Sequence, residues 1–171
     1  MATAIEPLGK QHDRATFTCG QPALDDWFRR RAGQDEKQNV ARVFVAIDDE
    51  QRSVLGFYSL SSFTLAIDDL PDEIARKLPR YDAISAALIG RLARDQRVHR
   101  QGIGGLLLAD AVRRILAASR SLAVFATVVN AKDDHAVSFY QNFGFRRFPM
   151  RPGRLFLLTS TAAEAFARAA D

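Results

Sequence analysis

The residues best suited to chemistry form one stretch, Arg97-Val98-His99-Arg100-Gln101-Gly102-Ile103-Gly104-Gly105, which runs straight into the apolar segment Leu106-Leu107-Leu108. Three glycines at the mouth of a helix let an anion approach the backbone closely, and first-turn N–H groups have no intrahelical acceptor. The helix dipole adds partial positive charge at the same place. The stretch therefore reads as a phosphate cradle. A dinucleotide fingerprint needs a third glycine where Leu107 stands, and a P-loop needs Gly-Lys-Ser/Thr, which the stretch lacks. A plain nucleotide-binding module is disfavoured on those grounds. By itself the loop is also compatible with a simple Gly-rich connection between a strand and a helix.

A second stretch, Asn130-Ala131-Lys132-Asp133-Asp134-His135-Ala136-Val137-Ser138-Phe139-Tyr140-Gln141-Asn142-Phe143-Gly144-Phe145, lies some 25 residues after the loop. Its phenol, Tyr140, is a proton donor with an ordinary pKa near 10. Val137, Phe139, Tyr140 and Phe143 also make an apolar helical pattern, in which Tyr140 by itself reads as a core residue. No carboxylate or histidine is an obvious general base. Asp95 and His99 flank the cradle, and His99 reads as a structural donor or as a neighbour of phosphate. His12 and His135 read as surface or capping residues, and Cys19 as a packing residue near a helix start.

These residues need elements to hold them. Ala86 to Asp95 has the apolar run and interior glycine of a bulged strand, so the cradle lies between that strand and a helix from Ile103 to Ala118. Ser121 to Val129 is a nearly continuous apolar strand, of the kind buried on both faces. Asp133 or a neighbour caps a helix from Ala136 to Phe143, which Gly144 ends before an extended run to Phe148. In the front half, Ile5 to Leu8 is a short strand, and Pro22 opens a helix with Leu24, Trp27 and Phe28 on one side. Ala41 to Ile47 and Val54 to Ile67 form an antiparallel hairpin about the turn Asp48-Asp49-Glu50-Gln51. Asp69 to Leu78 reads as a short helix stopped by Pro79. Pro149 to Gly153 is a turn, Arg154 to Thr159 the last strand, and Thr161 to Asp171 a helical or frayed tail. The expected fold class is α/β (α+β), a mixed central sheet flanked by helices in one domain over residues 1–171.

Composition bounds the function. At 171 residues, 47% hydrophobic and 26% charged, the chain is an ordinary globular length and balance. A single cysteine excludes an internal disulfide and any Cys-based zinc cluster, no metal site is expected, and a reducing cytoplasm is the natural home. No leader pattern opens the sequence, and no apolar run reaches the roughly 18 residues of a membrane helix. The net charge is +4, and arginine supplies all but four of the 24 basic residues. Arginine's fixed fork of donors suits phosphate, although genome composition also writes arginine for lysine. Three basic groups stand out: Arg29, Arg30 and Arg31; Arg76, Lys77 and Arg80; and Arg146, Arg147 and Arg151. Each is also readable as a solvated face.

The loop Gln/Arg-x-x-Gly-x-Gly/Ala, here with His99 in first place, resembles the pyrophosphate loop of the GNAT acyltransferases. The later strand, Asn130 and Ala-x-x-Phe-Tyr-x-x-x-Gly-Phe resemble their second hallmark. Phe17-Thr18-Cys19-Gly20, Leu24-Asp25-Asp26-Trp27, Leu78-Pro79-Arg80-Tyr81, Gly90-Arg91-Leu92-Ala93-Arg94-Asp95 and Arg154-Leu155-Phe156-Leu157 extend the likeness to the GNAT toxins of bacterial toxin-antitoxin pairs. Arg94 departs from the pattern, since relatives commonly carry an apolar residue there, and 82–85 lacks a proline often seen before the central strand.

The resemblance implies a single GNAT domain, with acetyl-CoA as acetyl donor and the α-amino group of aminoacyl-tRNA as acceptor. Backbone N–H groups of Val98, His99, Gln101, Gly102, Ile103, Gly104 and Gly105 would surround the pyrophosphate, with Arg97 and Arg100 available to it or to the 3′-phosphate. Pantetheine would lie beside Leu92 and Ala93, bordered by Asn130 and by Tyr140, the proton donor to the leaving thiolate. An α-amine titrates near 7.7 to 8.0, so such an acceptor is partly neutral without a dedicated base. The three basic groups are the candidates for tRNA. Implied partners are a ribbon-helix-helix antitoxin and a second copy in a homodimer. Acetylation of a small amine or a protein N-terminus, and noncatalytic acyl-CoA binding, remain the alternatives.

Overall fold

The hairpin of the front half sets the frame. Arg42–Asp48 (β2) pairs antiparallel with Val54–Ala66 (β3), Val43 opposite Ser59 and Val45 opposite Phe57, with a bulge between Ala46 and Ile47. Thr3–Pro7 (β1) lies antiparallel on the other edge of β2, Ile5 opposite Ala46. The computed structural model describes residues 2–50 and 52–170; Met1, the Gln51 of the predicted turn and the Asp171 of the predicted tail lie outside the described residues.

The chain divides into two compact units, Met1–Ser61 with Ile89–Arg113, and Ser62–Leu88 with Arg114–Asp171. In the first, the strand order is β1-β2-β3-β4, where β4 is Ala83–Arg94 and contributes its second half. Pro22–Arg30 (α1) starts at a proline suited to a first turn and carries Asp25 near its positive end. Its buried Trp27 and Phe28 sit with Leu24 at the i, i+3, i+4 spacing of one face. Phe28 stacks on Phe57 at 4.2 Å between ring centres, and Phe17 meets both rings edge-on at 5.0 and 5.5 Å. Each such ring contributes roughly 2 kcal/mol by leaving water. Ala32–Lys37 (α2) adds Ala32 to the same cluster.

Next to Phe57, Gly56 points the other way. A Cβ there would stand 2.8 Å from the Ala93 carbonyl oxygen and 2.8 Å from Leu107 Cδ1. Only glycine lets the helix Ile103–Ala118 (α4) come so close. Ile103, Leu107 and Ala111 of α4 are buried. In this unit α1 and the first turns of α4 therefore lie on opposite faces of the strands.

The second unit holds the rest of β3 and β4, then Ala126–Asn130 (β5), Arg151–Leu158 (β7) and Arg146–Phe148 (β6), in the order β3-β4-β5-β7-β6. β5 and β7 are antiparallel, Val128 opposite Phe156 and Asn130 opposite Arg154. Leu65, Leu70, Ala86, Ala126, Val128, Phe148 and Phe156 make its core. Asp134–Phe143 (α5) is capped by Asp133, whose carboxylate accepts the Ala136 N–H at 2.8 Å. The helix ends at Gly144, whose φ of +120° no side-chain-bearing residue adopts easily.

Several predicted boundaries move. β5 begins at Ala126 rather than Ser121: its partner β7 ends at Leu158, opposite Ala126, where the helix Thr159–Ala170 (α6) takes over. The predicted 69–78 helix contracts to Asp72–Ala75 (α3), preceded by a single turn of tighter helix over Ile67–Asp69. β4 begins three residues earlier than expected and β7 starts at Arg151, inside the predicted turn.

Candidate acetyl-donor site

Asp95, fully buried at the end of β4, organises the entry to the cradle. Its carboxylate accepts the Arg97 N–H at 2.8 Å, the Thr18 N–H at 3.1 Å, and the Arg97 side chain through Nε at 2.9 Å and a terminal nitrogen at 3.0 Å. The Gln96 N–H donates to the Thr18 carbonyl at 2.9 Å, so the strand end and the segment before α1 are stitched together. Burial works against ionisation of Asp95, but the Arg97 side chain and N–H, the Thr18 N–H and the Arg97 charge outweigh it and hold the carboxyl below its ordinary value. Asp25 is also held low. Burial opposes its ionisation too, and the Cys19 N–H, Thr18 hydroxyl and Arg29 charge prevail.

A single turn of tighter helix over Gln96–Val98 then leads into the glycines. Arg100 and Gly102 both have positive φ, +64° and +78°. The first helical bond is Leu106 N–H to the Gly102 carbonyl, so the N–H groups of Ile103, Gly104 and Gly105 precede any intrahelical acceptor. A Cβ on Gly102 or Gly105 would meet nothing within 4 Å, leaving open space beside these donors. The cradle thus fits a diphosphate: free donors, a helix dipole and room for the anion.

Three implied donors are already used inside the loop. Val98 N–H bonds the Asp95 carbonyl, His99 N–H the Gln96 carbonyl and Gln101 N–H the Val98 carbonyl, at 3.2, 3.3 and 3.3 Å. The guanidinium of Arg97 is likewise committed to Asp95 rather than free for phosphate. Arg100 is exposed and has no acceptor among the described residues, so it is the cation the loop offers. Arg94 pairs with His99 Nδ1, which puts the neutral ring's proton on Nε2. Ala93 packs its methyl into the core of the first unit, its carbonyl oxygen lies against Gly56 of β3, and Leu92 is half-buried.

In the second unit, Asn130 is exposed at the end of β5, and its side-chain oxygen accepts from Arg154 Nε at 3.1 Å. Tyr140 is 8% exposed, with its ring against Phe139 and Phe145 at 5.1 and 5.5 Å. The ring is core, yet its hydroxyl has no partner among the described residues, where no buried side-chain oxygen or nitrogen goes unpaired. The hydroxyl therefore opens to solvent. Burial pushes its pKa up to about 12.

The histidines divide. His12 is buried rather than on the surface, taking the Gly9 N–H on Nδ1 and pairing with Glu6 through Nε2, whereas His135 is exposed. Cys19 packs against the aromatic cluster, as its position suggested. The basic groups are partly spoken for. Arg29 donates to the Phe17 carbonyl, Arg30 pairs with Asp26 at 3.0 Å and Arg31 reaches Asp35 at 3.9 Å. Arg146 pairs with Glu73 at 2.8 Å and Arg151 with Asp69 at 3.3 Å, bringing the later two groups together within the second unit. Arg76, Lys77, Arg80 and Arg147 are exposed without an ion pair among the described residues.

A cradle of this build between strand and helix, within this strand order, defines an acyl-CoA-dependent acyltransferase. The model of the acetyltransferase (GNAT) domain matches residues 39–147, and the chain belongs to the GNAT acetyltransferases, with their mixed sheet flanked by helices. Among its relatives, a tRNA-acetylating toxin of Mycobacterium tuberculosis is 37% identical, the match covering 94% of each chain. A probable toxin TacT of Sinorhizobium fredii is 34% identical, covering 92% of this chain and 91% of the relative. The structure of AtaT complexed with acetyl-methionyl-tRNAfMet superposes with a TM-score of 0.89 at 26% identity, covering 96% of this chain and 99% of that one. AtaTR bound with AcCoA gives 0.83 at 27%, covering 96% and 98%. A mutant AtaT toxin bound to the C-terminus of the antitoxin AtaR gives 0.80 at 25%, with the same coverage.

Proposed function

We propose that this protein is a toxin that transfers acetyl from acetyl-CoA to the α-amino group of aminoacyl-tRNA and so blocks translation. The observation that carries this reading is end-to-end similarity to a tRNA-acetylating toxin, joined to a cradle with free donors where the acetyl donor must bind. Acetyl-CoA supplies an activated thioester. The N–H groups of Ile103, Gly104 and Gly105 bind its diphosphate, and Arg100 adds charge. Leu92, Ala93 and Asn130 border the pantetheine.

Tyr140 donates a hydrogen bond to the sulfur as negative charge develops there. With its pKa near 12, against about 8.5 for an ordinary thiol, outright proton loss to sulfur is uphill by about 5 kcal/mol. Tyr140 therefore holds its proton and stabilises charge, while the attacking amine sheds the proton that the thiol finally carries. An α-amine near pKa 8 is partly neutral at physiological pH, so no further base is required. Arg76, Lys77, Arg80 and Arg147 offer free cations to RNA phosphates, and Arg29, Arg30, Arg31, Arg146 and Arg151 add charge that is already shared with protein acceptors.

The reading includes one acetyltransferase domain over 1–171, a ribbon-helix-helix antitoxin, a homodimer and a cytoplasmic place of action. No helix among the described residues is long and apolar enough to cross a membrane. In a cell-free translation mixture the protein is expected to stop synthesis only when acetyl-CoA is present. Synthesis continuing at the control rate in its presence contradicts the proposed function.

A further inference from the structure

Arg91 belongs to none of the three basic groups, yet it is the most unusual cation of the first unit. Its guanidinium carbon lies 4.0 Å from the centre of the Trp27 ring, a close cation–π stack. Trp27 cannot swing away. Its indole N–H donates to Asp35 Oδ2 at 3.0 Å, and its ring stacks on Phe57 at 5.8 Å. Arg91 is half-buried, and it has neither a hydrogen-bond acceptor nor a carboxylate within ion-pair reach among the described residues. Asp35 is the opposing charge that acts on it, but its oxygens serve Trp27 and Arg31. Burial pulls the Arg91 pKa down, and Asp35 only partly offsets this.

Neighbouring arginines differ. Arg14 and Arg29 spend donors on backbone carbonyls, Arg42 on Glu36 and Arg97 on Asp95. A partly desolvated cation fixed by its stack on Trp27, with five donors and no acceptor among the described residues, is arranged for a ligand that is not part of this chain. The face on which it stands selects the ligand. Arg91 stacks on Trp27 of α1, and in this unit α1 and the cradle end of α4 lie on opposite faces of the strands. The donor's diphosphate sits at α4, so Arg91 faces the side left for the acceptor.

We infer that Arg91, stacked on Trp27, is a positioning residue that binds a backbone phosphate at the acceptor end of the RNA substrate. This rests on the reading of the acceptor as aminoacyl-tRNA. A fixed planar fork takes two phosphate oxygens at once and orients the strand that carries the reacting amine. It also gives the α1 face a specific contact, which the paired Arg30 and Arg31 do not.

The test compares the intact wild-type protein with Arg91→Gln and Arg91→Lys, measuring charged-tRNA KM and kcat, tRNA Kd across a salt series, and acetyl-CoA Kd. For Arg91→Gln, KM and tRNA Kd are expected to rise about tenfold to a hundredfold. The log Kd against log salt slope should become shallower by about 0.7, with kcat within about threefold and acetyl-CoA Kd unchanged. Arg91→Lys, which keeps charge and loses the fork, should recover the salt slope but not the full KM. Unchanged tRNA Kd and slope in Arg91→Gln overturn the inference, as does a parallel loss of acetyl-CoA binding. Failure of the wild type to acetylate charged tRNA refutes the functional reading separately, because the tRNA Kd comparison still reports on Arg91.

Discussion

Replacing Tyr140 by Phe is expected to lower kcat for acetyl transfer by about a hundredfold to a thousandfold while leaving acetyl-CoA Kd unchanged. The reason is local. The ring is packed against Phe139 and Phe145 and stays in place without its oxygen, so the substitution removes one donor and little else. The hydroxyl opens to solvent and pairs with no protein group among the described residues, so its loss orphans no partner and stability should change by less than about 1 kcal/mol. Single-turnover transfer, calorimetric acetyl-CoA binding and a melting curve on the same preparation separate the three quantities. Transfer at the wild-type rate removes Tyr140 from the chemistry.

The largest effect on stability is expected at Asp95. Asp95→Ala leaves the Thr18 and Arg97 N–H groups without their acceptor and the Arg97 guanidinium without its partner, at a cost of about 3 kcal/mol. For a chain of this size that lowers Tm by about 10 °C. Acetyl-CoA binding should weaken as well, because the carboxylate fixes the turn that presents the cradle. The pH dependence comes from the direction of the Asp95 shift. A carboxyl lowered on folding contributes stability that is complete above its unfolded pKa, near 3.9, and is lost as pH falls through the folded value. Between about pH 6 and 5 the wild-type Tm should hold steady on this account, then fall below about pH 4. Asp95→Asn, starting lower, should show a shallower acid decline. Equal acid slopes in the two proteins would place the acid sensitivity elsewhere.

Much of this site is legible in the residues alone. The helix at Ile103 to Ala118 and the proline start at Pro22 come from spacing and local chemistry, and both stand at those residues. The strand expected from Ser121 starts later for a reason the residues do not carry. Ser121 to Phe125 is as apolar as Ala126 to Asn130, but a strand needs a neighbour, and β7 stops at Leu158. The role of Arg97 is hidden similarly. A guanidinium two residues from a carboxylate either turns back to it or reaches out, and only the turn over Gln96–Val98 settles it in favour of Asp95. Arg91 escapes a local reading because its partner, Trp27, is remote in sequence; the signal available is an arginine inside a largely apolar strand. The burial of His12 is equally non-local, since it depends on the Gly9 turn and Glu6 closing around the ring. Local periodicity marks helices and the anion loop well, whereas the assignment of individual cations depends on contacts across the fold.

The direct measurement is acetyl transfer from labelled acetyl-CoA, offered charged tRNA, deacylated tRNA and a panel of free amines and peptides side by side. Label on the aminoacyl group of charged tRNA, absent from deacylated tRNA and from the small amines, is the predicted result. Label on free amines or peptide N-termini with charged tRNA untouched would keep the acetyltransferase and its cradle but contradict the action on translation.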